Sequence, residues 1–248
     1  MINRRSFIAT GTSGLLLGGC DRLNNSASFR GVLRSAEKLT MATQRLISPR
    51  NALAREYRES DLSPVFRSNG TARPNTDDYD RHVAENFANW RLAIDGLVAR
   101  PLSIPIGTLR ALPHRTQITR HDCVEGWSAI GKWQGTLLSA VLDHVGADPQ
   151  ARFVVFHCFD EMDVDTPYYE SVDIDEARHP QTLLAFALND KPLPVPNGAP
   201  LRLRVGRQLG YKQAKYLSRI ELVKSFDAIG DGKGGYWEDQ GYEWYAGI

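Results

Sequence analysis

Cysteine is scarce in this chain: its 248 residues contain three, Cys20, Cys123 and Cys158. So few cysteines exclude a dense disulfide framework and a zinc site made of four thiolates. The sequence also contains no Cys-x-x-Cys-His motif, so we expect no haem attached to this chain. The function of each cysteine is therefore a question of its own.

Long apolar runs and an excess of one charge are missing as well. Although 42% of the residues are hydrophobic, no stretch approaches the roughly 18–20 apolar residues that a membrane-spanning helix needs. The 30 basic and 29 acidic residues leave a net charge of +1, which gives no electrostatic basis for binding nucleic acid. The chain is long enough for one large domain with a sizeable core.

The first 20 residues have the features of an export signal. Arg4 and Arg5 precede Phe7 and a short apolar run diluted by small residues, a pattern that predicts a twin-arginine signal peptide over residues 1–19. Residues 17–20, Leu-Gly-Gly-Cys, resemble a lipobox, in which Cys20 would be acylated and become the new N-terminus. The alternative is ordinary cleavage nearby, with Cys20 discarded. We expect a nearly neutral periplasmic protein, tethered to the membrane through Cys20.

The remaining chain predicts a helical arm followed by a β-rich domain. From Phe29 to Tyr57 apolar residues recur at helical spacing, interrupted by Ser48-Pro49, so residues 20–62 are expected to form a tether and two helical pieces. Residues 63–248 alternate strand-like and helical runs and predict a single α+β domain. The strand candidates are Trp90–Ile94, Phe153–Phe156 and Leu201–Val205, and the helix candidates are Pro105–Ala111, Leu137–His144 and His179–Leu188.

Cys123 has three interpretations from its residue type alone: a buried structural thiol, a nucleophile assisted by a histidine, or a soft metal ligand. A zinc site would draw on His121, His157 and Cys158, but His157 and Cys158 are neighbours in a probable strand and should point to opposite faces. In an extended segment His121 shares the face of Cys123. The alternative is that His121 is a structural histidine.

Basic residues near the C-terminus suggest an anion site. Alternation places Arg202 and Arg204 on the strand face opposite its apolar residues. Arg202, Lys212 and Lys215 could converge on a phosphate, which Gly210 would allow the backbone to approach. The alternative is an ordinary charged strand face exposed to solvent.

Five ordered segments resemble the sulfite oxidase-type molybdopterin oxidoreductases, over about residues 63–223. They resemble in particular the exported bacterial branch that includes the methionine sulfoxide reductase catalytic subunit. The resemblance implies an enzyme with that family's β-rich α+β fold, unrelated to nucleotide-binding sheets. The segments are Phe66-Arg67-Ser68-Asn69-Gly70, His121–Ser128 with Trp133-x-Gly135, Arg178–Ala185, Leu193–Leu203, and Gly210-Tyr211-Lys212-x-x-Lys215.

The resemblance also implies a cofactor, namely one molybdenum held by one molybdopterin, in its mononucleotide form, per chain. It makes Cys123 the thiolate ligand of the metal and places Tyr168 at an active-site tyrosine, although Tyr169 beside it leaves the register open. The residues that it implies as cofactor contacts are Ser68, Asn69, Cys123, Cys158, Asn197, Arg202, Gln213 and Lys215.

The family's chemistry is oxygen-atom transfer on a sulfur- or nitrogen-oxo substrate, small or protein-bound, by sulfite oxidation or S-oxide reduction. A separate partner, either a membrane haem protein or a soluble cytochrome, would exchange the electrons. Sulfite oxidases carry a substrate-binding arginine shortly after the metal cysteine, whereas this chain has Glu125-Gly126-Trp127-Ser128. The Asn-Asn-Phe-Tyr start of the bacterial branch is replaced by Ser68-Asn69-Gly70.

The C-terminal end of the sequence leads to expectations about the oligomeric state and about an aromatic tail. The chain ends about 25 residues after Val223, which leaves no room for the dimerisation domain of larger sulfite oxidases, so we expect a monomer. The aromatic tail over residues 235–245 should pack over the domain or form a substrate or partner surface. The competing functions are an inactive cell-envelope binding module of the same fold and a cysteine hydrolase or transferase that uses Cys123.

Overall fold

The structure is a computed structural model that describes residues 36, 39–49, 51–163 and 166–248. The expected signal peptide, residues 1–19, and Cys20 lie outside the described residues. The chain divides into two compact units, one ending at Ser48 and one beginning at Pro49. In the first unit residues 39–47 are helical. Among the described residues, no helix combines the length and apolar character that a membrane span requires.

The second unit is β-rich. In its described part the strands are β1 (Arg91–Gly96), β2 (Leu102–Pro105), β3 (His114–Cys123), β4 (Trp127–Leu137), β5 (Phe153–Asp163), β6 (Thr166–Asp173), β7 (Thr182–Leu188), β8 (Lys191–Pro192), β9 (Arg202–Val205) and β10 (Leu217–Val223). The α-helices are α1 (Asp77–Ala84), α2 (Ile106–Ala111), α3 (Leu138–Val145), α4 (Ile174–Ala177) and α5 (Tyr236–Asp239). Short 3-10 segments cover Glu59–Asp61, Val195–Asn197 and Gly210–Lys212.

The strands form two sheets. The first has the order β2-β1-β10-β5-β6, in which β1 and β10 are parallel and the other neighbours are antiparallel. The second has the order β3-β4-β7-β8, and β9 pairs with β7. β3 and β4 form a hairpin whose pairing runs up to Cys123 opposite Trp127, so the sequence motif around Cys123 is a tight turn at the end of this sheet.

The main hydrophobic core involves residues from both sheets. The strands β5 and β10 contribute fully buried residues such as Phe156 and Ile220, and β9 contributes Leu203. Helix α3 buries Leu138, Val141, Leu142 and Val145, one apolar face of the helix. Burying each large apolar side chain stabilises the fold by about 1.5–3 kcal/mol. The core therefore fixes β5, β6 and β9, which border the candidate site.

Most sequence-predicted elements are confirmed. Strands occur at all three predicted places, as β1, β5 and β9, and two predicted helices correspond to α2 and α3.

Two helix predictions are wrong. The run predicted over His179–Leu188 forms strand β7, because its apolar residues are buried between β4 and β9 and a short apolar run does not distinguish a buried strand from a helix. The second piece of the arm, after Pro49, is not helical. Its backbone pairs Glu56 with Thr119 and donates from Tyr57 N to Ile118 O at 2.9 Å, and these tertiary hydrogen bonds replace helical ones.

Candidate functional site

A cavity of about 240 Å³ opens where the β3–β4 hairpin meets the ends of β5 and β6 and the segment after β9. Cys123, Asp160, Tyr168, Gln213 and Lys215 line it, together with aromatic residues of the C-terminal tail. Residues that are far apart in the sequence are thus brought to one cavity because each lies at a strand end or in the loop that follows. Four of these five residues were candidates from the sequence.

Cys123 ends β3 and is half-buried. The turn after it is closed by Gly126 N, which donates to Cys123 O at 3.1 Å, and Gly126 adopts a positive φ of 85°, which favours glycine. Burial raises the pKa of the Cys123 thiol. This argues against the cysteine hydrolase or transferase, which requires an activated thiolate.

His121 lies on the same strand face and is fully buried. Arg204 donates from a guanidinium nitrogen to Nδ1 of His121 at 2.9 Å, so the ring proton is on Nε2. Among the described residues Nε2 has no hydrogen-bond partner. It lies against Gly210, where a Cβ would come within 2.7 Å of it. Burial and the Arg204 charge lower the pKa of His121, so the ring is neutral.

Arg202 and Arg204 are both fully buried, so the alternative of a solvated strand face is wrong. Arg202 donates to the carbonyls of Asn197 at 3.0 Å and Gln213 at 3.2 Å, and both guanidiniums lie over the ring of Trp133. Within the described ranges neither is ion-paired with a carboxylate. Burial lowers the pKa of Arg202 to about 10, and burial together with the Arg202 charge lowers the pKa of Arg204.

Lys215 ties two loops together beside these arginines. Its Nζ donates to the carbonyls of Asn69 at 2.6 Å, Pro196 at 3.1 Å and Thr71. Burial and the Arg202 charge lower the pKa of Lys215 to about 7, and burial raises the pKa of Asp160 to about 6. Of the three buried cations, Lys215 lines the cavity, while Arg202 and Arg204 donate hydrogen bonds to the carbonyl and the side chain of the lining residue Gln213. Uncompensated buried charge is costly, so this end of the cavity is suited to an anionic ligand.

The other predicted cofactor contacts lie around this cation cluster. Ser68 Oγ donates to Pro196 O at 2.6 Å, which fixes the loop that carries Asn69. Asn69 Oδ1 and Asn197 Nδ2 are buried and lack hydrogen-bond partners in the described part of the chain. Gln213 accepts a hydrogen bond from Arg204 through its side chain and donates to Gln208 O at 3.0 Å.

The two adjacent tyrosines of β6 point to opposite sides. Tyr168 lines the cavity and its hydroxyl donates to Tyr211 O at 2.6 Å, whereas the hydroxyl of Tyr169 donates to Asp239 at 2.5 Å. Burial and the nearby Glu170 raise the pKa of Tyr168, which therefore stays protonated at neutral pH. The cavity-facing tyrosine is Tyr168.

The neighbours His157 and Cys158 also diverge, as expected for a strand. Cys158 lies in the main core rather than on the cavity surface, and burial raises its pKa. His157 lies 3.0 Å from Glu221 on the other face of the strand. The two side chains therefore do not converge on one ion.

The expected convergence of Lys212 on the anion site is wrong. Lys212 is fully buried and donates to Glu170 and, at 2.5 Å, to Glu238. The 3-10 segment Gly210–Lys212 directs this side chain away from the arginines because it pairs with acids on β6 and α5. Pairing with two carboxylates raises the pKa of Lys212 against the opposing effect of burial.

Sequence reasoning missed several residues of the site. Asp160 was not a candidate, although it lies two residues after Cys158 in a strand, and this period-two spacing is the signal that could have placed the two side chains on one face. Arg204 was noted, but its contact with His121 across two strands carries no local signal. Trp237 and Tyr242 lie in the aromatic tail, and only its folding back brings them to the cavity.

Comparison with known proteins identifies the family. The model of the oxidoreductase molybdopterin binding domain matches residues 80–228. A putative protein-methionine-sulfoxide reductase subunit YedZ1 of Azospira oryzae is 38% identical over 244 residues, which cover 98% of this chain and 86% of that protein. The protein-methionine-sulfoxide reductase catalytic subunit MsrP of Campylobacter jejuni is 35% identical over 155 residues, 57% of this chain and 52% of that protein.

Among solved structures, the sulfane dehydrogenase SoxCD of Paracoccus pantotrophus matches with a TM-score of 0.49 and 22% identity, covering 55% of this chain and 39% of that chain. The family match and the β-rich mixed architecture confirm the resemblance that the sequence motifs indicated, and with it the fold class. The chain belongs to the sulfite oxidase-type oxidoreductase molybdopterin-binding family and is an oxidoreductase.

Proposed function

We propose that this protein is an exported molybdenum–molybdopterin enzyme that reduces an S-oxide to the corresponding thioether. The observation that carries the proposal is that a half-buried thiol, Cys123, lines one cavity with the buried Lys215 and with Gln213, to which the buried Arg202 and Arg204 donate hydrogen bonds. A soft thiolate is a suitable ligand for molybdenum, and the cations suit the phosphate of a pterin cofactor. The residues present therefore fit this group.

Cys123 would bind the metal as its one protein thiolate. Arg202 and Lys215 would bind the phosphate, because their charges are buried and lack a carboxylate partner in the described residues. Asn69 and Asn197 would bind the pterin with side-chain atoms that have no other partner there.

Gln213 would hold the cation cluster in place through its bonds to both arginines. Ser68 would position the loop that carries Asn69. We assign Cys158 to the base of the site, close enough to influence the pKa of Tyr168 and Lys215. One cofactor in its mononucleotide form per chain, and no haem, completes this proposal.

The bound cofactor would supply oxygen-atom transfer and two-electron redox chemistry. In the overall reaction the sulfur–oxygen bond breaks, the sulfur gains two electrons, and the oxygen leaves as water after taking up two protons. A separate haem protein of the membrane or a soluble cytochrome would supply the electrons. The chain itself provides a protonated Tyr168 hydroxyl at the cavity, which is suited to orient a polar group near Cys123.

The direction and the location of the reaction rest on further observations. The relatives are named as methionine sulfoxide reductase subunits, which favours S-oxide reduction over sulfite oxidation. The Arg4-Arg5 motif supports export by the twin-arginine route to the periplasm, and Cys20 supports a lipid tether to the membrane. We propose that the protein acts as a monomer.

The test is the metal and pterin content of protein made in a host that synthesises molybdopterin. We expect about one molybdenum and one pterin per chain, and S-oxide reduction with a reduced artificial electron donor. Cys123→Ser should lower this activity by about 100-fold or more, since even outer-shell changes at metal sites cost up to that factor. Its unfolding free energy should change by less than about 1 kcal/mol, because the thiol is half-exposed.

Thr116→Ser, an exposed position on the same strand, is the matched control and should leave metal content and activity unchanged. Wild-type protein without molybdenum, or full activity in Cys123→Ser, would contradict the proposal. Metal and pterin at full occupancy without turnover of any S-oxide would instead support the inactive binding module.

A further inference from the structure

The C-terminal tail builds an aromatic wall at the mouth of the cavity. Helix α5 brings Trp237 to the cavity, and Tyr242 N donates to Trp237 O at 2.9 Å, which folds the chain back on itself. The rings of Trp237 and Tyr242 lie 5.2 Å apart at 34°, and Tyr242 meets Tyr211 edge-on at 5.3 Å. Because each ring is held by the next, the wall is preorganised.

Two polar groups of this wall are available to a ligand. Within the described residues, neither the indole N–H of Trp237 nor the hydroxyl of Tyr242 has a hydrogen-bond partner. Tyr242 is 42% exposed, and Val124, which also lines the cavity, is 46% exposed. The mouth therefore combines apolar surface with donors suited to the oxygen of an S-oxide.

Glu125 forms part of the cavity lining beside the Cys123 turn and is a fixed negative charge. Its two carboxylate oxygens accept hydrogen bonds from Trp127 Nε1 at 2.9 Å and from Gly70 N at 3.2 Å. Both donors are neutral, and in the described part of the chain no basic side chain lies within ion-pair distance of Glu125. An anion that enters the cavity must pass this exposed carboxylate, which has no direct ion-pair partner in the described part of the chain and feels the Lys215 charge only at longer range, whereas a neutral molecule is not repelled by it.

We propose that the mouth selects a neutral S-oxide carried on an apolar side chain, such as an oxidised methionine residue. Trp237 and Tyr242 hold its sulfur and methylene groups, and Glu125 disfavours sulfite and other small anions. Aromatic rings make favourable contacts with both sulfur and apolar chains, and repulsion of the wrong ligand adds to specificity. This inference rests on the proposed function, and it adds the residues that determine which substrate is accepted.

The first experiment compares a neutral and an anionic substrate of the same reaction, namely N-acetylmethionine sulfoxide as its methyl ester and as its free carboxylate. Sulfite is added as an inhibitor, and the holoenzyme is driven by a reduced dye. Glu125→Gln should raise kcat/KM for the carboxylate about tenfold and lower the inhibition constant of sulfite similarly, as expected from removing a charge at partly screened contact distance. The ester should change less than about twofold, since it carries no charge to be repelled.

Glu161→Gln is the matched control, because Glu161 is an exposed carboxylate of β5 that is not part of the cavity lining. It removes the same charge and should not alter the preference between the two substrates. Equal responses in the two variants, or an unchanged preference in Glu125→Gln, would overturn the role of Glu125.

The second experiment tests the aromatic wall. Trp237→Ala should raise KM for the ester about tenfold with kcat nearly unchanged, and Trp237→Phe should lie between it and wild type, because Phe keeps the ring but lacks the N–H donor. A loss confined to kcat, or one shared equally by all substrates, would overturn the assignment. Molybdenum content and thermal unfolding of each variant distinguish these effects from loss of cofactor or fold.

A different result would show that the proposed function itself is wrong. If wild-type holoenzyme reduces no S-oxide, the proposed reaction is wrong, while calorimetric titration of the same protein with the ester and with sulfite still measures the binding preference. Tighter binding of the ester, reversed or abolished in Glu125→Gln, supports the selective mouth. Equal or tighter binding of sulfite to wild-type protein overturns it.

Discussion

Replacement of Lys212 by Met tests whether this lysine is part of the anion site or a structural counter-ion. In the structure Lys212 is fully buried and its Nζ lies between Glu170 and Glu238, which are also buried. Burial and the Glu238 charge raise the pKa of Glu170, whereas the Lys212 charge lowers it. Removing the lysine charge therefore raises the pKa of Glu170 further, and the folded variant must protonate this buried carboxyl group.

The loss of unfolding free energy in Lys212→Met follows from the cost of protonating that carboxyl group. Neutralising a carboxyl group with an unfolded-state pKa near 4.3 costs about 4 kcal/mol at pH 7 and about 1 kcal/mol at pH 5. The first value agrees with the roughly 3–5 kcal/mol lost when one partner of a buried ion pair is removed. In Lys212→Met the folded-state pKa of the carboxyl is raised above its unfolded value, so the lost stability grows as the pH rises above about 4.3.

Urea unfolding of the cofactor-free protein at pH 5 and pH 7 measures this difference. The matched control is Lys132→Met, since Lys132 also contacts two acids, Glu59 and Asp190, but these are 71% and 72% exposed. Its loss should change the free energy of unfolding little, and equally at both pH values, because ion pairs with exposed acids contribute little to stability. Combining Lys212→Met with Glu170→Gln and Glu238→Gln should recover most of the lost stability. A cost below 1 kcal/mol for Lys212→Met, or an equal cost at both pH values, would refute the reasoning.

Two further predictions concern the cavity itself. The folded-state pKa of Asp160 is about 6, above its unfolded value near 4, so the stability of the wild-type protein falls as the pH rises from about 4 to 6. Asp160→Asn removes this ionisation. It should therefore stabilise the cofactor-free protein by about 2–3 kcal/mol above pH 6 and by little at pH 4. Urea unfolding across this range measures it, and a pH-independent gain would contradict the assignment. Gly210→Ala should destabilise the protein by about 1–3 kcal/mol and reduce the bound cofactor, because the new Cβ would lie 2.7 Å from His121 Nε2. Gly107→Ala in α2 is the control, since open space surrounds that position and alanine favours a helix by about 0.5–1 kcal/mol relative to glycine. Thermal unfolding and metal analysis compare the two variants. Equal effects of the two substitutions would show that the contact with His121 is unimportant.

The hydrophobic periodicity of short segments correctly predicted part of the secondary structure. The apolar face of α3 and the alternation of Leu201–Val205 gave the right elements, because hydrophobic period and strand period are properties of a short segment. The run Thr182–Leu188 was misassigned because its residues are buried on both faces, which removes the alternation. Residues 51–58 contain a helical pattern, but hydrogen bonds to Gln181 and to β3 hold them in an extended form.

The sequence by itself determined the family, the candidate metal ligand and several of the side chains around the cavity, because ordered motifs identify residue types at fixed spacing. The tertiary structure decided which of those side chains converge. It separated Tyr168 from Tyr169 and Lys215 from Lys212, and it brought Trp237 to the cavity. The physical reason is that a side chain's partners are set by long-range packing and by the need to compensate buried charge. Two lysines three residues apart can therefore have different surroundings: Lys215 lines the cavity, and Lys212 lies between two buried acids.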